Sequence, residues 1–179
     1  MIICRTPYRI SFFGGGTDYP AWYRQHGGAV LATGIDKYCY LTVRHLPPFF
    51  EHRLRVVYRQ IETCSAVDEI EHPVVREALK FLGVDRGVEI HHDGDLPARS
   101  GMGSSSAFTV LGETVGSQDQ TVAAHGGLRH VKFHTDGEIE VAPLVLPAGR
   151  VAELKSNLLL VYTGIVRTAA DVAQSYVPG

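Results

Sequence analysis

The stretch Ser100–Gln120, SGMGSSSAFTVLGETVGSQDQ, decides how the rest of the chain is read. Its first half suits an anion. Gly101 and Gly103, with Met102 between them, let the backbone curl closely around a ligand, and Ser104, Ser105 and Ser106 stand where a helix would begin. Serines there cap free N–H groups or reach a cation, and the helix N-terminus adds positive dipole. The plain alternative is a serine-capped helix following a loop. The second half ends in Asp119 between two glutamines, either a base or an acid that caps a helix or turn. A helix from Ser104 to Val110 would be only about 10 Å long at 1.5 Å per residue, under the usual three turns. The two halves read as though a piece were missing between Val110 and Leu111.

Two rival chemistries are weaker. The stretch lacks the lysine of a P-loop, so it is not a Walker A sequence. A serine-hydrolase elbow would follow directly on a buried strand, whereas DLPARSGM precedes these serines.

Upstream, GVEIHH (87–92) reads as a strand and DGDLPARSG as a loop. Before them Pro73 opens a helix whose Val74, Val75, Ala78, Leu79 and Leu82 share one face, with Gly83 as its stop. The N-terminal part is strands and turns: Ile2–Arg5 and Tyr8–Phe12 separated by Thr6-Pro7, then Ala29–Thr33, Lys37–Arg44 and Leu54–Tyr58, with a helical turn at Ala21–Gln25. Between them lies PYRISFFGGGTDYP, Pro7–Pro20. Three glycines remove every side chain where something must lie close to the backbone. Asp18 either closes an Asx-type turn or accepts from sugar hydroxyls, and Arg9 offers fixed donors to phosphate or carboxylate. Downstream, HVKFH and EIEVA flank Thr135-Asp136-Gly137 as a hairpin, Leu158–Tyr162 reads as a strand and Thr168–Ser175 as a helix. Strands first and helices interspersed, without regular βαβ alternation, predict an α+β fold.

The chain has 179 residues and net charge −2, which argues against nucleic acid as the main partner. No apolar run approaches the ~20 residues of a membrane span, and MIICRTPYRI lacks the regions of a signal peptide. Cys4, Cys39 and Cys64 are odd in number, without C-x-x-C, and predict reduced thiols at buried or half-buried positions of a cytoplasmic protein.

Taken together, Arg9-Ile10 followed by Gly14-Gly15-Gly16-Thr17-Asp18-Tyr19, then GMGSSSA, then GSQDQ resemble the GHMP small-molecule kinases. The triple glycine, TGIDKYCYLTVR and VGSQDQTVAAHGG are most similar to the heptose kinases of that superfamily; galactokinases carry Glu-His where this chain has Gly15-Gly16. The resemblance runs from Arg5 to about Gln174. It implies a GHMP-kinase-like N-terminal domain over residues 1–155, interrupted between 110 and 111, and the start of a second α/β sandwich domain over 156–179. The implied activity is ATP-dependent transfer of a phosphoryl group to the anomeric hydroxyl of D-glycero-D-manno-heptose 7-phosphate. A fucokinase- or galactokinase-like enzyme and a non-catalytic sugar- and nucleotide-binding protein are the alternatives.

Residue by residue, the resemblance implies that Gly101, Met102, Gly103, Ser104, Ser105 and Ser106 wrap the nucleotide phosphates, with Ser105 touching Mg²⁺. It makes Asp119 the catalytic aspartate and Arg9 the basic residue beside it. Gly15, Gly16, Thr17 and Asp18 line the sugar. Arg167, in YTGIVRTAAD, is a candidate on chemical grounds for the substrate's own phosphate. Glu113 does not match the family's metal-binding glutamate. The sequence is therefore expected to be pieces of a longer kinase, with a true internal deletion as the alternative; the oligomeric state stays open.

Overall fold

In the computed structural model, which describes residues 1–96, 116–159 and 161, the organising element is one very long strand. β2 (Gly28–His45) pairs antiparallel with β1 (Ile2–Phe13) along one edge. Its other edge takes β5 (Val88–Gly94) on the C-terminal half and β6 (Leu128–Phe133) on the N-terminal half, both antiparallel. β3 (Leu54–Val57) joins β5 in parallel and carries β4 (Ile61–Cys64), and β7 (Ile139–Pro143) closes the far side on β6. The helices described are α1 (Pro20–His26), α2 (Pro73–Phe81), α3 (Gln118–His125) and α4 (Ala148–Ser156). This is the α+β arrangement that the sequence predicts.

Two expectations need correction. The break foreseen at Thr6-Pro7 does not occur: β1 runs through both residues. Among the described residues β1 pairs with β2 alone, and an edge strand tolerates a proline that has no N–H to give. The pairing with β2 shifts register between Pro7 and Arg9. Likewise the two strands expected within 29–44 are one. β4, α4 and a short 3-10 turn at Val67–Glu69 had no clear sequence signal. Leu158, Leu159 and Val161 lie outside any strand, and the rest of that expected strand, with the helix at 168–175, falls outside the described residues. Cys4 is exposed, unlike Cys39 and Cys64, and all three are free thiols.

The α2 prediction holds with one change. Val75 and Leu79 are buried as the periodicity requires, but Leu82 is 68% exposed. The helix ends before it. Gly83 takes a positive φ of 66° and donates to Lys80 O, while Val84 N–H reaches back to Leu79 O at 2.9 Å. This is a Schellman closure, and it puts Val84 rather than Leu82 against the core.

Two apolar clusters hold the sheet. One lies between α2 and the β3–β5 side, built on Leu54, Val56, Ile70, Val75, Leu79 and Ile90. The other joins Tyr23, Val30, Ala32, Val122, Val131 and Phe133, and so packs α1 and α3 onto β2 and β6. That second cluster seats the helix carrying Asp119 on β2 and β6, next to β1, which carries Arg9 and pairs with β2.

Away from that region, Glu89 is 1% exposed. It stands in register with Arg44 on β2 and Arg55 on β3. It pairs with both guanidiniums and with His91 Nε2 at 2.7 Å. Burial alone would raise its carboxyl pKa; the bonds from His91 and Arg44 and the charges of Arg44 and Arg55 outweigh it, so the net shift is downward. A carboxylate with a lowered folded pKa stabilises the fold above its unfolded pKa, and that contribution is lost as pH falls through the folded value. Both arginines reach solvent, so the group left behind by a deletion is not stranded. Glu89→Gln is expected to lower the unfolding free energy by about 1–3 kcal/mol at neutral pH, with a smaller difference from the parent in acid. Urea titrations at two pH values check this.

Candidate active site

The site begins with the glycine turn that follows β1. Gly14 and Gly16 adopt positive φ values of 89° and 95°. A Cβ on Gly14 would also collide with the Ala29 carbonyl, so glycine is required there on two counts. The turn is closed by Thr17, whose N–H donates to Gly14 O at 3.1 Å and whose hydroxyl lies 2.8 Å from the same carbonyl. That hydroxyl also accepts from Ala29 N at 3.2 Å, tying the turn to the start of β2.

Asp18 comes next and points inward. The residue is 1% exposed. Oδ1 accepts from Gly16 N at 3.0 Å and Oδ2 from Gln118 N at 3.1 Å. Burial raises its pKa; the bonds from Gln118 and Gly16 oppose this, and the charge of Asp119 adds to it. The residue expected to face sugar hydroxyls is thus engaged by backbone N–H groups on both oxygens.

Arg9 projects from β1 to Asp119 in the first turn of α3. Its Nε and Nη2 grip the two carboxylate oxygens, the second at 2.8 Å. The side chains are 14% and 15% exposed. A two-point guanidinium–carboxylate contact fixes orientation as well as charge. Asp119 is therefore helical rather than part of a loose turn. Around the pair lie three residues that the sequence reading did not single out as site residues. Ser11 follows Arg9 by two residues on β1, and its Oγ and the Oε1 of Gln118 are buried without a hydrogen-bond partner among the described residues. Both flank Gly15: a Cβ there would stand 3.9 Å from Gln118 Nε2 and 4.0 Å from Ser11 Oγ. Buried polar atoms without partners are costly, and two of them beside an open glycine are suited to meet a hydroxyl-rich ligand. The third is Tyr19. Burial and then the charges of Asp18 and Asp119 push its phenol pKa up, with Arg9 opposing. All three lie inside the quoted stretches, and that membership was their only signal.

The structure thus brings Arg9, Gly15, Gly16, Thr17, Asp18 and Asp119 together, from segments about a hundred residues apart. Gly101, Met102, Gly103, Ser104, Ser105, Ser106 and Arg167 lie outside the described residues, as does Glu113. The chain leading to the serine segment is anchored. Asp95 accepts from Tyr38 N at 2.8 Å and returns its own N–H to Tyr38 O at 2.9 Å. The Tyr8 hydroxyl donates to Leu96 O at 3.4 Å, with its pKa raised to about 12 chiefly by burial. Among the described residues no three His, Cys, Asp or Glu side chains are grouped to hold a metal ion, and no helix is long and apolar enough to cross a membrane.

Residues 70–113 match the family described as GHMP kinases N terminal domain. The structure of a D-glycero-D-manno-heptose 1-phosphate kinase from Bacteriodes thetaiotaomicron superposes over 87% of this chain with a TM-score of 0.73. The chain has a GHMP-kinase-like N-terminal domain. At 23% identity that superposition speaks for the fold, and the structure of the Methanococcus jannaschii mevalonate kinase superposes more distantly, at 12% identity and a TM-score of 0.53 over 81% of this chain. In sequence, the D-glycero-alpha-D-manno-heptose 7-phosphate kinase of Campylobacter jejuni is 24% identical over 221 residues, covering 95% of this chain. This GHMP-kinase-like chain spans 62% of that relative's length, and 64% and 56% of the two solved structures.

Proposed function

We propose that the chain is part of an ATP-dependent sugar kinase that phosphorylates the anomeric hydroxyl of D-glycero-D-manno-heptose 7-phosphate to the 1,7-bisphosphate. The observation that carries this is the Arg9–Asp119 pair, held almost out of solvent beside an open glycine turn. The family match and the heptose kinases among the relatives support it.

In this reading the anomeric oxygen attacks the γ-phosphorus of ATP. A new O–P bond forms while the bond to the β–γ bridging oxygen breaks, and ADP leaves with that electron pair. The hydroxyl proton passes to Asp119. Such transfers need positioning and charge stabilisation more than covalent help. Arg9 orients the Asp119 carboxylate and balances the charge that gathers on the transferred group. Ser11, Gln118 and Gly15 line the acceptor. Gly101–Ser106 would hold the ATP phosphates, and Ser105 would hold the Mg²⁺ that accompanies the nucleotide, whose charge would offset that of the phosphates. Arg167, or the exposed Lys37, takes the phosphate at the far end of the sugar. Residues 1–155 make the nucleotide-binding domain and 156–179 open a second one in a cytoplasmic enzyme. The alignment to the Campylobacter relative runs over more positions than this chain has residues, so the relative carries residues that this chain lacks within the aligned span.

Glycine at 15 and 16 leaves room for a large sugar and places no anion near a phosphorylated one. The test is a panel of heptose 7-phosphate, unphosphorylated heptose, galactose and fucose, each with ATP and Mg²⁺, on the intact protein. The phosphorylated heptose is expected to give the highest kcat/KM. A higher value for galactose or fucose would overturn the substrate and leave the kinase.

A further inference from the structure

We propose that Arg44 and Arg55, held in place by the buried Glu89, form a phosphate-binding site at the end of the sheet remote from the Arg9–Asp119 pair. β5 lies between β2 and β3, and Arg44, Glu89 and Arg55 stand in one row across the three strands. The two arginines start about 10 Å apart, two strand spacings, and converge on the carboxylate between them. Its Oε1 accepts from Arg55 Nη1 at 2.8 Å and from His91 Nε2 at 2.7 Å, and Arg44 directs Nε and Nη2 at Oε2. A carboxylate accepts about four hydrogen bonds, so Glu89 is saturated by these donors.

One arginine would neutralise a buried carboxylate; the second leaves a positive charge over. The next position in the row, Thr63 on β4, is neutral. Among the described residues neither guanidinium pairs with any group but Glu89. Their side chains are 45% and 35% exposed, so N–H groups not engaged by the carboxylate reach water. Two planar guanidiniums whose inner edges are fixed present their outer edges in a set arrangement, and that fork suits the oxygens of a phosphate.

This end of the sheet is open on the side in question. Alternation along the strands turns Leu54, Val56, Val88 and Ile90 into the α2 cluster, and Arg55 and Glu89 the opposite way. The neighbouring row on that side runs from Ile3 through Thr42, His91 and Val57 to Ile61. It begins and ends on isoleucines 62% and 63% exposed. α1 and α3 pack at the other end of β2, on Val30 and Ala32. From Gly34, which stands opposite Arg9, to Arg44 the strand rises roughly 30 Å at about 3.3 Å per residue. A phosphate held here is therefore far from the one transferred. Asp93, two residues beyond His91 on β5, repels an anion, so the phosphate sits on the arginine side of the imidazole.

The His91 ring touches Glu89 and is the local reporter. Its NMR signals, assigned by their loss in His91→Gln, are followed on the intact protein as inorganic phosphate replaces chloride at constant ionic strength. A saturable shift with a Kd of ~1 mM or tighter is expected. Arg44→Met and Arg55→Met should each weaken binding about tenfold, and Arg9→Met should leave the titration as in the parent. Glu89→Gln makes the surface more positive yet removes the group that aligns the arginines, so binding should weaken there too. Tighter binding in Glu89→Gln would show a diffuse positive surface and overturn the proposal. A shift that never saturates, one indifferent to both arginine variants, or one lost in Arg9→Met would overturn it as well. Repeating the titration with heptose 7-phosphate separates the sources of the group: equal or weaker binding assigns the site to free phosphate, and binding tenfold tighter or more (about 1.4 kcal/mol) assigns it to a phosphorylated sugar.

Discussion

Asp119→Asn is expected to slow phosphoryl transfer by ~10²–10⁴-fold while leaving nucleotide binding nearly intact. Asparagine preserves the size of the side chain and, through its remaining oxygen, one bond to Arg9. It removes the capacity to take a proton from the attacking hydroxyl. It also leaves the guanidinium with half of a two-point contact that is almost out of solvent. Sugar KM should change little, since Ser11, Gln118 and the Gly15 backbone are untouched. Single-turnover rates with saturating ATP separate the chemical step from binding, and a variant within about threefold of the parent rate would remove Asp119 from the role of base.

Arg9→Met comes second in size, with an expected loss of ~10²–10³-fold in kcat. Methionine fills the same channel but carries no charge and no fork, so Asp119 loses the cation facing it and the orientation that comes with two bonds. Arg9→Lys should recover part of the loss, because the charge returns without the planar double contact. Breaking one side of a mostly buried pair also weakens the fold, by ~3–5 kcal/mol where the remaining charge cannot reach water, so rates must be compared below the variant's own Tm. The double variant, Arg9→Met with Asp119→Asn, is expected to be hardly slower than the worse single one, as for groups that act as a unit. Losses that multiply would show that the two residues work independently.

The parts of this molecule legible in the sequence are those fixed by near neighbours. α2 announced itself through its opening proline, its i, i+3, i+4 apolar face and Gly83, and the Thr135-Asp136-Gly137 turn placed the β6–β7 hairpin. Residues whose state depends on distant partners were harder. Pro7 reads as a break until β1 is seen to pair, among the described residues, with β2 alone. IETC, which forms β4, is too short and too charged to signal a strand, yet Glu62 is buried with its oxygens engaged by Tyr58 and by the N–H groups of Glu71 and His72. In the candidate site, the motifs pointed to Arg9, the glycine turn and Asp119, which the structure brings together, because their residue types carry the proposed chemistry. What motifs could not convey is that Asp18 reaches Gln118 and that Ser11 and Gln118 flank Gly15, since those contacts join segments about a hundred residues apart. Asp18 shows the limit best: its type is legible in the sequence, and its burial and its bonds to Gly16 and Gln118 are not.

The central claim is that the Arg9–Asp119 pair drives transfer from ATP to the anomeric oxygen of a phosphorylated heptose. Phosphorus NMR of the intact protein with ATP, Mg²⁺ and D-glycero-D-manno-heptose 7-phosphate tests it most directly. The account predicts a new anomeric phosphate resonance growing in step with ADP, and its near disappearance in Asp119→Asn. ADP formation without a sugar phosphate product, or an undiminished anomeric signal in Asp119→Asn, would contradict it.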